Sequence, residues 1–117
     1  MERLIKDKFS IFVFVTSGFP TAEKTIDILL ALQKSNVVDV VELGIPCSEC
    51  VADGPVLESC GDQARKNGTD NIFKCLDILK EARNKGFNIF KFRICTGINF
   101  LSFMTFYLIY LLNYIYW

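Results

Sequence analysis

Glu42 lies in the C-terminal half of an apolar stretch, and Asp53 follows eleven positions later, at the end of the loop Pro46-Cys47-Ser48-Glu49-Cys50-Val51-Ala52-Asp53-Gly54-Pro55. Two carboxylates in one cleft can have their proton affinities pushed apart by burial and by mutual repulsion, which leaves one acid and one base near neutral pH. The chain contains no histidine. Self-contained Ser-His-Asp or Cys-His machinery is therefore excluded, and proton transfer falls to carboxylate, lysine, tyrosine or thiol. Spacing alone leaves a second reading open, with Glu42 as a solvated residue at a strand end and Asp-Gly-Pro as an ordinary turn.

The other cluster with chemical potential is Cys47-x-x-Cys50, with Cys60 as a third thiol. A structural zinc site takes four ligands, and neither a histidine nor a second closely spaced cysteine pair completes one, so no metal is expected and the cysteines read as loop thiols. The five cysteines are an odd number, and no apolar N-terminal run with a small-residue cleavage site precedes them. A reducing, cytoplasmic setting is the expectation.

For Glu42 and Asp53 to meet, a strand must end at the first and a loop must carry the second. Val37 to Ile45 is a near-continuous apolar run of strand length, the pattern of a parallel strand covered on both faces. Ser10 to Val15 predicts an earlier strand that ends in the breaker cluster Thr16-Ser17-Gly18-Phe19-Pro20. Between them Thr21 can cap a helix with Glu23 in its first turn and Ala22, Ile26, Leu29, Leu30 and Gln33 at helical spacing, ending near Ser35-Asn36. A second helix is predicted from Thr69-Asp70, with Ile72, Cys75, Leu76, Leu79 and Ala82 on one face and Gly86 as its stop. Phe87 to Phe92 then reads as a third strand, left at a sheet edge. Strands alternating with helices of this length imply a parallel α/β sheet or barrel.

Thirteen basic and thirteen acidic residues cancel. They are scattered, so no electrostatic footprint points to nucleic acid. Lys91 and Arg93 read as two solvated charges. Residues 94 to 117 carry no charge, and from Ile98 to Trp117 Phe, Leu, Ile and Tyr dominate. That stretch has bilayer-spanning length, although Asn99, Ser102, Thr105 and Asn113 interrupt it.

The run Val40-Val41-Glu42-Leu43-Gly44-Ile45-Pro46, then Ser48-Glu49, then Val51-Ala52-Asp53-Gly54-Pro55, resembles the signature of the tryptophan synthase alpha chain family. Phe14-Val15-Thr16 with Gly18 and Pro20, and Asn67-Gly68 before the second helix, are similar to the same family, so that the resemblance spans about residues 12 to 86. It implies an α/β fold, the N-terminal part of a (β/α)8 TIM barrel amounting to about two and a half of eight βα units. On that reading residues 1 to 93 are a partial barrel domain and residues 94 to 117 an apolar tail.

Carried over by position, the family's catalytic glutamate falls on Glu42 and its catalytic aspartate on Asp53. The implied reaction is the retro-aldol cleavage of indole-3-glycerol phosphate to indole and glyceraldehyde 3-phosphate, with no cofactor in this chain; the family's later strands and phosphate loops do not follow Gly86, so the truncated chain is expected to be inactive by itself. Phe14 and Leu57 match positions that line the indole pocket, and both also suit ordinary barrel core. Pro46 and Glu49 match the loop that faces the beta chain, a partner expected to carry pyridoxal phosphate. The family's usual Ser-Asp-Pro reads Ser48-Glu49-Cys50 here, which lengthens the partner-facing acid and removes a loop-stiffening proline. An alternative reading is a non-catalytic truncated fragment whose apolar tail binds a membrane or a partner.

Overall fold

The computed structural model describes residues 10–46, 54–89 and 92–96. Cys47, Glu49, Cys50, Asp53, Lys91 and the segment beyond Thr96 lie outside the described residues. The elements are β1 (Phe12–Thr16), α1 (Ala22–Ser35), β2 (Val40–Ile45), α2 (Gly54–Lys66), α3 (Ile72–Asn84) and β3 (Phe92–Thr96). The strands form one parallel sheet in the order β1-β2-β3. Parallel neighbours cannot be joined by a hairpin, so α1 makes the first crossover, and α2 with α3 makes the second.

The expected strands and the first helix are present with shifted ends. Thr21 caps α1, its hydroxyl accepting from the Lys24 N–H at 3.2 Å. Hydrogen bonds from its own backbone N–H and from Thr21 hold the exposed Glu23 carboxyl below its usual range. Asn36 ends the helix in the left-handed region at φ 54°, a conformation that asparagine tolerates. β2 begins only at Val40, because Val37 is exposed and the chain is still climbing from the Asn36 cap. There the Asp39 carboxylate accepts from the Ile11 N–H at 2.9 Å and fixes the entry into the ladder.

Three features depart from the sequence-based expectations. α2 was not foreseen: Gly54-Pro55 reads as a turn, yet Pro55 fills the first helical turn, where its missing N–H leaves no bond unmade. Its buried residues are Gly61 and Ala64, so the helix meets the protein through small side chains and lacks the large apolar stripe that marks a helix in sequence. α3 is capped by Asn71, whose side chain accepts from the Lys74 N–H, while Thr69 is buried further back. The third strand lies at 92–96 and not at 87–92. Phe87 is drawn out of the sheet into the core: its N–H bonds the Ala82 carbonyl, and the Arg83 guanidinium donates to the carbonyls of Phe87 and Ile89. Ile94, Cys95 and Thr96 pair with Leu43, Gly44 and Ile45, so these three residues belong to the sheet and not to a tail.

The core lies on one face of the sheet. Val15, Val41 and Leu43 point toward the helices and pack with Ile26 and Leu29 of α1, Ile78 and Ala82 of α3, and Phe87. Burying each large aliphatic or aromatic side chain contributes about 1.5–3 kcal/mol. The opposite face carries Phe12, Phe14 and Glu42, and there Phe12 is 56% and Phe14 41% exposed. β1 is therefore buried on one face only, whereas β2 is buried along nearly its whole length, as expected of a strand covered on both faces. The end of the sheet away from the strand C-termini is clasped by Gln33 of α1, whose amide donates to the Gly86 carbonyl at 2.9 Å and accepts from the Asn88 N–H. Among the described residues no helix is long and apolar enough to cross a membrane.

Gly18, just past β1, has φ +81°, and a Cβ there would lie 2.3 Å from the Thr69 Oγ1 and 2.4 Å from its Cβ. Gly68 also has positive φ, at +95°, but a Cβ there would meet nothing within 4 Å. We expect Gly18→Ala to cost about 2–4 kcal/mol, combining backbone strain with a clash against a buried β-branched residue, and Gly68→Ala about 1 kcal/mol from strain alone. Urea unfolding of both variants checks this; equal losses would mean that the Gly18–Thr69 contact contributes nothing.

Candidate active site

Glu42 lies on β2, half-buried, on the sheet face away from the helices. Its register partner on β1 is Phe14, so carboxylate and ring are cross-strand neighbours on one face. The far end of the Phe14 ring reaches over Gly44, where a Cβ would stand 2.3 Å from Cζ. The Ser17 N–H donates to the Gly44 carbonyl at 2.9 Å and prolongs the ladder one step past β1, so both strands end at the same level.

The loops above these ends are tied together. The Thr25 hydroxyl, buried on α1, accepts from the Gly18 N–H and donates to the Thr21 carbonyl, both at 3.0 Å. The Asn67 side-chain amide donates to the Pro20 carbonyl at 2.6 Å, and Thr69 closes on Gly18. The connection between α2 and α3 thereby rests on the connection between β1 and α1. This pinning holds α2 over the strand ends, where Leu57, 37% exposed, stands in its first turn. Pro46, expected to face a partner, is buried in this chain, with its Cβ 4.0 Å from the position of a Cβ at Gly61 of α2.

The strand does not end at Glu42 as expected: the sheet carries the carboxylate and the half-open aromatic ring in mid-strand, three and two residues before the C-terminal ends of β2 and β1, the end at which α/β barrels carry their chemistry. A sequence model described as "Tryptophan synthase alpha chain" matches residues 1–94. The chain belongs to the tryptophan synthase alpha chain family. That family consists of lyases of tryptophan biosynthesis. The tryptophan synthase alpha chain of Clostridium acetobutylicum is 41% identical over 82 residues, covering 70% of this chain and 30% of the relative. The alpha subunit from Legionella pneumophila superposes with a TM-score of 0.69 at 24% identity over 88% of this chain and 38% of that one, which bears on the fold alone. A chain from the tryptophan synthase a2b2 complex of Pyrococcus furiosus gives a TM-score of 0.64 at 29% identity, covering 81% and 36%. This chain spans about a third of the length of the curated tryptophan synthase alpha chains it matches.

Two residues near the candidate site were not singled out for it by sequence reasoning. Gly44 carries the signal of a lone glycine inside a strand, which marks close approach by another group. Ser17 is fully buried, and its hydroxyl lacks a well-formed hydrogen bond. Beside it stands the Cys75 thiol of α3, also fully buried. Burial pushes this thiol above its ordinary value, and the Ser17 hydroxyl offsets only part of the rise.

A thiol whose folded value is raised keeps its proton when the unfolded chain has begun to lose it. Stability from Cys75 is thus complete below about pH 8.5 and falls as pH climbs toward the raised value, by at most about 1.4 kcal/mol per pH unit. In Cys75→Ala this part of the alkaline loss should vanish, measured as the difference between the two proteins' urea midpoints from pH 8 to 10. An unchanged alkaline slope would refute it.

Proposed function

We propose that this chain contributes the acid–base half of an indole-3-glycerol phosphate lyase site, with Glu42 as the proton-transferring group and Asp53 as its electrostatic partner. The observation that carries the proposal is the placement of Glu42 in the middle of a parallel strand, three residues before its C-terminal end, with the open ring of Phe14 as its register partner on the same face. Retro-aldol cleavage requires a proton to reach C3 of the indole ring and another to leave the hydroxyl on the adjacent side-chain carbon. Protonation at C3 makes the ring nitrogen positive. When the carbon–carbon bond breaks, its electron pair returns to the ring, the nitrogen is neutral again, and the hydroxyl carbon leaves as the aldehyde. One carboxylate can serve both transfers, because it takes up the hydroxyl proton after giving one to C3. A second carboxylate near the ring N–H stabilises the transient charge.

Phe14 and Leu57 are proposed to line the ring site, and Pro46 and Glu49 to belong to the loop nearest a partner. The partner proposed is a tryptophan synthase beta chain, for which support comes from the complex formed by the Pyrococcus furiosus relative. Because Pro46 is buried, its part would be to shape that loop against α2. The test is release of indole from indole-3-glycerol phosphate by this chain extended to barrel length with the remaining units of a full-length relative, with and without an added beta chain, the 117-residue chain serving as the inactive reference. The expected result is release that depends on Glu42 and Asp53. Unchanged rates in Glu42→Gln and Asp53→Asn would overturn the proposal.

A further inference from the structure

We infer that Gly44 sets the ring-size selectivity of the site, by leaving room for the Phe14 ring to reach across β2 beside Glu42. The inference deepens the reading above and rests on it for the location of the site. Three ring atoms of Phe14, Cζ, Cε2 and Cε1, lie 2.3, 2.7 and 3.2 Å from where a Cβ at position 44 would be. The distal end of the ring therefore fills the volume that any other residue's side chain would claim. Glycine in a strand interior gives up packing and adds backbone entropy to the unfolded chain, so its presence here corresponds to a close approach.

The ring so placed is 41% exposed, and it is on the same sheet face as Glu42, its direct register partner. It offers a planar apolar surface at the level of the carboxylate. A flat aromatic ligand would gain an offset-stacked or edge-to-face contact there, with its reactive carbon within the reach of Glu42. A methyl group at position 44 would meet only the far end of a side chain, which can swing about its own torsions, and no backbone. The ring then has to leave the surface of β2 and move into the space above it. A fused two-ring ligand loses that space first, whereas a single ring needs less of it.

The experiment titrates indole and, as the single-ring probe, phenol into the 117-residue protein, following chemical shifts, for wild type, Gly44→Ala and the double variant Gly44→Ala/Phe14→Leu. Gly44→Ala should weaken indole binding by about tenfold and leave phenol within about twofold, the scale of one stacked aromatic contact. Leucine lacks the three distal ring atoms and leaves the ligand's space open, so the double variant should bind indole more tightly than Gly44→Ala but less tightly than wild type, which alone keeps the ring contact. Thermal unfolding of the same three proteins separates a filled slot from a damaged fold: Gly44→Ala should keep a cooperative transition and its phenol affinity while its indole affinity falls. Equal weakening for the two probes, or no recovery in the double variant, would overturn the inference, as would a wild type that binds indole no better than phenol. Loss of cleavage in Glu42→Gln alongside ring selectivity unmoved by Gly44→Ala leaves the functional reading standing and removes this one. Selectivity that moves as described while Glu42→Gln cleaves at the wild-type rate does the reverse.

Discussion

In the chain extended to barrel length, Glu42→Gln should lower the rate of indole release by about a hundred- to ten-thousandfold, the span that a positioned proton-transfer group contributes. Glutamine keeps the length and shape of the side chain and can still hydrogen-bond, but it can neither deliver a proton to carbon nor take one from a hydroxyl. The substitution stays on a strand whose apolar residues Val41 and Leu43 face the other way, so the core is untouched. Thermal unfolding of Glu42→Gln should consequently shift little, and the loss should appear in kcat with KM nearly constant, because the step removed belongs to the transition state. A fall in kcat/KM carried wholly by KM would assign Glu42 to binding and remove it from the chemistry.

Phe87→Ala should cost about 3–5 kcal/mol, the range for truncating a fully buried ring. Phe87 is 1% exposed and packs with Val15, Ile26, Leu29, Val41, Leu43, Ile78 and Ala82. The Arg83 guanidinium carbon stands 5.0 Å from the ring centroid, so truncation also removes a cation–π contact from a partly buried charge. Domains are stable by only about 5–15 kcal/mol in total, so this one change consumes much of the margin. Phe73→Ala is the matched control. Phe73 is 73% exposed on α3, and its loss should fall within about 0.5 kcal/mol. Urea unfolding of the two variants decides between a core centred on Phe87 and one centred elsewhere; similar losses would exclude the former.

The contrast between those two phenylalanines also shows where the sequence could be read and where it could not. Thr21, Asn36 and the periodic Ile26 and Leu29 define α1 from local signals alone, and the chain obeys them, because a cap and an apolar stripe act within a few residues. The alternation in Phe87-Asn88-Ile89-Phe90-Lys91-Phe92 is equally local, but it was overridden by a contact at a distance. The cavity under α1 and α3 takes Phe87, and the sheet waits for Phe92 to find its partner Val41. α2 escaped notice for the opposite reason, since Gly61 and Ala64 bury little area and leave no pattern to detect. At the site, the strand was legible from its apolar run, whereas Glu42 was singled out by the family resemblance, since spacing alone leaves it open to reading as a solvated strand residue. The neighbouring ring over Gly44 was not legible, because it depends on the register between β1 and β2, which no single stretch of residues encodes.

The Gln33 clasp bears on the order in which the chain comes together. Its two hydrogen bonds join positions 53 and 55 residues apart in sequence. Contacts of such separation become available only after the intervening loop has closed, and a sheet made wholly of parallel pairs adds more of the same kind. The helices can form early from their own caps, whereas the clasp closes once α3 has docked and its last turn is in place. An interaction absent from the folding barrier acts on the way out, so Gln33 contributes to the lifetime of the folded chain more than to the speed of reaching it.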